Sequence, residues 1–229
     1  TMSTGHEQPP RVRESDVDWT KQFLAHPVKK KPGTFFRYNT PASYMLGAIV
    51  KKTTGEDLAD YLEPRLFKPL GIRKPKWLTS PQGLSIGGYG LYVRTEDIAK
   101  FGQLYLQNGK WKGKQLLPEN WVKEATSKQV DNSNGIISRN SDWLVGYGYQ
   151  FWQCRHGVYR GDGKDGQFCI VMPQYNTVVA MTADNQDMQA QLNLVWEHIL
   201  PALKDKPLPA NKKAQRKLKR AVAKLKASK

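Results

Sequence analysis

Between Thr40 and Gly55 the chain reads TPASYMLGAIVKKTTG, and this stretch constrains the fold more than any other. Thr40 is a good helix N-cap, and Pro41 suits the first helical position, where a missing N–H does no harm. Tyr44 to Val50 is apolar all round, which predicts a buried helix rather than a surface one. Gly55 fits its C-terminal cap. A helix of this kind needs cover on every side, so the rest of the chain must pack around it in layers.

The flanking sequence predicts those layers. Asp18 to His26 reads as a short helix with Trp19, Phe23 and Leu24 on its apolar side, and Pro32-Gly33 makes a turn. A second helix is predicted over Glu56 to Phe67, disturbed at Pro64. Pro81 to Gly90 is glycine-rich and irregular, and Thr95 caps a helix whose buried side carries Ile98, Phe101, Leu104 and Tyr105. Pro118 starts a further short helix. After Asp142 the pattern changes: Tyr147, Tyr149 and Phe151 alternate as in a strand. Gln167 to Met172 and Thr177 to Thr182 form a hairpin around Pro173 to Asn176, and Asp187 to Leu203 closes the domain as a helix. Helices first, then antiparallel strands, then a helix make an α+β arrangement, not alternating βαβ units.

A chain of 229 residues can bury a real core. Its mean hydropathy of −0.64 is polar for a complete enzyme, and an incomplete domain, a basic tail or both account for that. The formal charge of +16 is concentrated after Lys204. There Ala214, Leu218, Val222 and Leu225 recur at helical spacing, so residues 204–229 read as a basic tail with a short amphipathic helix. Such a helix can touch nucleic acid or an anionic surface, or simply be solvated, and the sequence makes no strong case for a nucleic acid or membrane partner. Cys154 and Cys169 read as buried free thiols, with a cross-strand disulfide as the alternative.

No H-E-x-x-H or G-x-x-x-x-G-K-[ST] pattern occurs, which argues against a zincin and a P-loop NTPase. No Ser-x-x-Lys occurs either. Yet FRYNTPASYMLGAIVKKTTG resembles the Tyr-Asn element of the penicillin-binding, serine β-lactamase-like hydrolases and the helix after it. TMSTGH is similar to the loop following their nucleophile helix. GGYGLYVRTEDIAKFGQLYLQNG resembles their middle glycine turn and helix. GYGYQFW with VYRGDGKDGQFCIVMPQYNTVVAMTA resembles their closing strands. The resemblance covers most of residues 1–203. It implies a β-lactamase/transpeptidase-like α+β fold, read here as lacking its N-terminal strands and nucleophile helix.

The resemblance makes Tyr38 the general acid/base. A free phenol has a pKa near 10, so it needs neighbouring cations to act as a base near neutrality. Asn39 would orient the family's lysine and hold a substrate carbonyl. Here it follows the tyrosine directly, where the family pattern is Tyr-x-Asn, and Thr40 stands in the usual place. In the third motif Arg160 takes the cation's position, poised for a tyrosinate or a substrate carboxylate. Gly161, Asp162 and Gly163 would form the substrate-binding and oxyanion edge. The competing reading of this segment is a flexible turn over Gly161–Gly166, with Arg160 and Asp162 as an exposed ion pair.

The resemblance thus implies acyl-serine transfer to water on an ester, amide or lactam. The partners would be a small-molecule or peptide substrate and the missing N-terminal segment of the same domain. It implies no metal or organic cofactor, and a periplasmic or secreted setting for a full-length member. The chain alone is expected to be inactive, with an apolar helix face and a sheet edge uncovered. The alternative is a non-catalytic binding module whose basic tail contacts nucleic acid or an anionic surface.

Overall fold

The computed structural model describes residues 1–12, 17–73, 75–204 and 206–225. Contacts divide the chain into two units, Thr1–Asn193 and Leu194–Lys229.

The first unit opens with a loop, then α1 (Trp19–Ala25), capped by the Asp18 carboxylate on the N–H groups of Thr20 and Lys21. Helix α2 (Thr40–Thr54) ends on Gly55 at φ 79°, the left-handed cap foreseen for it. Its other cap differs from expectation. Asn39 Oδ1 accepts from Ala42 N at 3.2 Å, so Asn39 is the N-cap, Thr40 the first helical residue and Pro41 the second. Nor is α2 buried all round. Tyr44 packs with Val12, Trp19 and Ile86 on one side, while Leu46 and Ile49 on the other are 54% and 53% exposed.

Helix α3 (Leu58–Leu62) is capped by Asp57, whose carboxylate also accepts from Ser85 N at 2.9 Å and from the Ser85 hydroxyl. A single π-turn over Glu63–Phe67 absorbs Pro64, and α4 (Lys68–Leu70) ends at left-handed Gly71. Strands β1 (Lys76–Trp77) and β2 (Leu91–Tyr92) pair antiparallel around the glycine-rich segment. In that segment Gly88 lies so close to α2 that an added Cβ would sit 2.6 Å from Thr40 Cγ2 and 2.8 Å from Thr40 O.

Helix α5 (Thr95–Leu106) starts after Arg94, and the Asp97 carboxylate reaches back to Arg94 N at 3.3 Å. The hairpin of β3 (Lys110–Trp111) and β4 (Lys114–Gln115) leads to α6 (Glu119–Ala125). Strands β5 (Trp152–Gln153), β6 (Tyr159–Gly163), β7 (Gln167–Met172) and β8 (Thr177–Met181) then form an antiparallel meander in that order. The hairpin of β7 and β8 is as the sequence predicts. Residues 147–151 are not a strand: Tyr147 bridges to Trp152 across a reversal in which Gln150 adopts φ 65°. The alternation of aromatics there reflects packing on two sides of a turn.

Helix α5 lies on β7 and β8. Gly102 makes this approach close, because an added Cβ would meet Val178 Cγ1 at 2.6 Å and Cys169 Sγ at 2.8 Å. Tyr105, Val122, Ala125, Phe151, Tyr159, Cys169 and Val171 form the cluster beneath. Cys154 and Cys169 are buried free thiols. Helix α7 (Met188–Leu194) follows the sheet. The unit is α+β, as expected.

In the second unit the predicted continuous helix to Leu203 breaks into a π-turn over Val195–Ile199 and a 3₁₀ turn over Leu200–Ala202. Pro201 cannot donate to an α-helical ladder, which accounts for the change of winding there. A proline-containing segment then leads to α8 (Lys212–Lys224), capped by Asn211. Positions 205 and 226–229 of the expected tail lie outside the described residues.

The tight seat of α5 on the sheet gives a direct test. Gly102→Val should lower unfolding free energy by about 1–3 kcal/mol, through overpacking against β7 and β8. Urea denaturation followed by circular dichroism measures it, and an unchanged midpoint would refute the close packing.

Candidate active site

The site forms where the start of α2 meets the glycine-rich segment and the end of β6. Tyr38 stands one residue before the Asn39 cap, so the capping geometry fixes where its ring goes. The ring stacks on Trp152 with centroids 5.6 Å apart and planes 14° apart, and it meets Tyr147 edge-on at 6.4 Å. It stays 41% exposed. Tyr38 and Asp162 together line two adjoining clefts of about 500 Å³ and 830 Å³, with Gly88, Tyr89, Leu91 and Trp152. These volumes suit a small-molecule ligand.

Asn39 and Arg160 do not join Tyr38 there. Asn39 is fully buried, and its Nδ2 donates to Thr4 Oγ1 at 3.2 Å and contacts His6 Nδ1 at 3.4 Å. Its side chain therefore ties α2 to the first loop, and Thr40 is the residue of this pair that lines the cleft. His6 is itself buried and packs against Phe23 and His26.

Arg160 is fully buried too. Its guanidinium carbon lies 4.2 Å from the Trp143 ring centroid and 5.4 Å from that of Trp152. Nη1 donates to Asp142 O at 2.8 Å and to Cys154 Sγ at 3.0 Å. Nη2 lies 3.1 Å from Asp162 Oδ2, an ionic contact outside hydrogen-bond geometry. The pair is buried, not the exposed one of the competing reading, and β6 is regular through Gly163 with the turn confined to residues 164–166.

The electrostatics at the phenol invert the expectation. Burial raises the Tyr38 pKa, and the charge of Asp162 raises it further. Asp162 is itself pushed up to about 6, because burial outweighs the opposing pull of Arg160 and a hydrogen bond to Trp152. Where the sequence placed a guanidinium beside Tyr38, the structure brings a carboxylate, since Arg160 is drawn down to Trp143 and the Asp142 carbonyl.

Gly161 and Gly163 flank Asp162 on β6. Gly161 lines the smaller cleft, and a Cβ there would find only Cys169 Cβ, at 4.0 Å. A Cβ at Gly163 would meet the Gln167 side chain at 2.9 Å. Sequence reading passed over two further cleft residues, Ser43 and Gln150. Gln150 Nε2 donates to Ser43 Oγ at 3.2 Å, and both line the smaller cleft. A glutamine between aromatics carries no local signal; in the structure its backbone is left-handed, at φ 65°. Asp142 was also passed over as a functional support. It is fully buried, takes Arg155 Nη2 at 2.8 Å and Gln189 Nε2 at 2.7 Å, and offers its carbonyl to Arg160.

A family model described as Beta-lactamase matches residues 1–203. An uncharacterized protein of Alkalihalophilus pseudofirmus is 28% identical over 180 residues, covering 67% of this chain and 53% of that protein. The N-acetylmuramyl-L-alanine amidase of Bacillus subtilis is 20% identical over 231 residues, covering 79% of this chain and 51% of that protein. The chain thus spans about half the length of the curated relatives it matches. Among solved structures, a penicillin binding protein from Bacillus halodurans superposes with a TM-score of 0.61 at 19% identity, covering 87% of this chain and 70% of that one. The meander, the helical region and the matched 203 residues agree: the chain belongs to the beta-lactamase family, with the fold of the penicillin-binding-protein and β-lactamase-like serine hydrolases.

Proposed function

We propose that this chain supplies the acid/base half of a serine acyl-transfer site, acting on an ester, amide or lactam, and that a Ser-x-x-Lys element outside these 229 residues supplies the nucleophile. The observation that carries the reading is the placement of Tyr38. Its hydroxyl-bearing ring is fixed by the cap of α2 and by Trp152, at the mouth of a cleft bordered by the small residues Gly88 and Gly161. A substrate carbonyl could approach the backbone there.

The proposed reaction runs in two stages. The serine oxygen adds to the substrate carbonyl carbon as its proton passes to the Tyr38 oxygen. The tetrahedral intermediate then collapses, breaking the bond to the leaving group, which takes a proton from Tyr38. Water repeats the addition on the acyl-serine and releases the acid. Tyr38 alone is protonated near pH 7, because burial and Asp162 both oppose its ionisation. It is therefore set as the donor. Its turn as base requires a cation, which the incoming lysine ammonium would provide between the phenol and Asp162.

A Ser-x-x-Lys-bearing segment outside these 229 residues is the proposed partner in this scheme. Exposed Leu46 and Ile49 on α2, and the edge position of β8, are the surfaces that it would cover. The name of the B. subtilis relative, an N-acetylmuramyl-L-alanine amidase, supports a reading of chemistry on amide bonds. The 229-residue chain by itself is expected not to turn over an activated ester.

Two measurements follow. In a protein completed with a Ser-x-x-Lys segment, Tyr38→Phe should reduce kcat on a p-nitrophenyl ester by about 10²–10⁴-fold with KM little altered. Equal turnover of variant and parent would remove Tyr38 from the chemistry. In the chain as it stands, Asp162→Asn should lower the Tyr38 pKa, since it removes the charge that raises it. A ¹³C-tyrosine NMR titration reads this, and an unmoved Tyr38 resonance would show that the carboxylate does not act on the phenol.

A further inference from the structure

Helix α8 has a division of chemistry that the acyl-transfer reading does not use. At 3.6 residues per turn, Lys212, Lys213, Arg216, Lys217, Lys219, Arg220 and Lys224 fall within one arc of about 160°. Ala214, Leu218, Ala221 and Val222 fall within an opposing arc of about 100°, which Leu225 at the C-cap prolongs. Only Ala223 stands among the cations. No residue of α8 is buried, and Leu218, Val222 and Leu225 are 65%, 56% and 77% exposed.

Two costs attach to this arrangement in water. The aliphatic stripe is hydrated, and the cations repel one another with no Asp or Glu anywhere between residues 206 and 225. An isolated helix of this length is also marginal on its own. An anionic lipid surface relieves all of these together. The aliphatic arc enters the headgroup boundary, while the lysine and arginine stems reach outward from its flanks to the phosphates. A nucleic acid would neutralise the basic arc but leave Leu218 and Val222 in water. The basic arc also presents no aromatic ring for base stacking and no amide for base edges. No helix among the described residues is long and apolar enough to cross a membrane, so the contact would be one of surface attachment.

We propose that α8 docks this protein on the surface of an anionic lipid bilayer, lying in the interface with Leu218, Val222 and Leu225 inserted. The test uses the full 229-residue chain and cosedimentation with vesicles. One set is phosphatidylcholine alone; the other contains phosphatidylglycerol as roughly a third of its lipid. At about 0.1 M NaCl the chain should partition at least about tenfold more strongly onto the anionic vesicles, and raising the salt to about 0.5 M should release most of it.

Replacing the three aliphatics together (Leu218→Ala, Val222→Ala, Leu225→Ala) keeps helix propensity, because alanine is the best helix former. It should weaken partition about tenfold or more, by loss of apolar burial. Lys217→Gln with Arg220→Gln should weaken it while flattening the salt dependence. Circular dichroism with vesicles checks that each variant is still helical. Equal partition onto the two lipid mixtures would overturn the proposal. So would a helical triple-alanine variant that partitions like the parent. A DNA duplex bound more tightly than the anionic vesicles, and indifferent to the triple-alanine change, would assign α8 to nucleic acid instead and would equally overturn it.

Discussion

The buried guanidinium of Arg160 is the constraint on which the closing sheet and the cleft depend. Removing such a cation from water costs several kcal/mol unless its surroundings return comparable energy. Here they do so from several directions. Trp143 and Trp152 present ring faces, Asp142 offers its carbonyl at 2.8 Å, Cys154 its sulfur, and Asp162 its charge. Each partner is held by something else: Asp142 by Arg155 and Gln189, Trp152 by the Tyr147 and Phe36 rings. Arg160 therefore welds the 142–147 segment, the reversal before β5 and strand β6 into one body. Through Trp152 that body also presents the surface on which Tyr38 stacks.

Much of this fold was legible in sequence because it rests on local rules. The left-handed Gly55 at the end of α2 and the 173–176 turn between β7 and β8 each follow from one or two residues in fixed positions. What was misread involves competition between neighbours. Thr40 and Asn39 are both good caps, and the choice fell to Asn39 because its amide also reaches Thr4 and His6, partners more than thirty positions away. The aromatic alternation at 147–151 mimicked a strand, although the segment reverses: Tyr147 packs with Phe36 and Trp152, while Tyr149 and Phe151 pack with Tyr105 and Tyr159. The apolar run in α2 mimicked a wholly buried helix, although only one side of it packs on Trp19 and Ile86.

The candidate site was legible in its tyrosine and in its strand, but not in how the two face each other. Tyr38 is fixed by a motif of adjacent residues. Which side chain of β6 meets it depends on where Arg160 finds its lowest energy, and that is settled by Trp143 and the Asp142 carbonyl, 17 and 18 positions earlier in the chain. No linear pattern ranks those partners against a phenol. Ser43 and Gln150 were invisible for the same reason, their pairing spanning 107 positions.

Under the proposed function, these electrostatics make the phenol's role conditional. A carboxylate already pushed up to about 6 by burial disfavours a second negative charge nearby, so Tyr38 and Asp162 resist being ionised together. Arg160 cannot relieve this, because its charge is divided among the indole faces, the Asp142 carbonyl and Asp162 itself. A mobile or incoming cation can, by entering from the open cleft side. The site is thus arranged to hold a neutral phenol when unaccompanied and to tolerate a phenolate only beside an added positive charge. In the proposed scheme, base catalysis by Tyr38 switches on with the arrival of that charge, which couples the chemistry to the proposed Ser-x-x-Lys element.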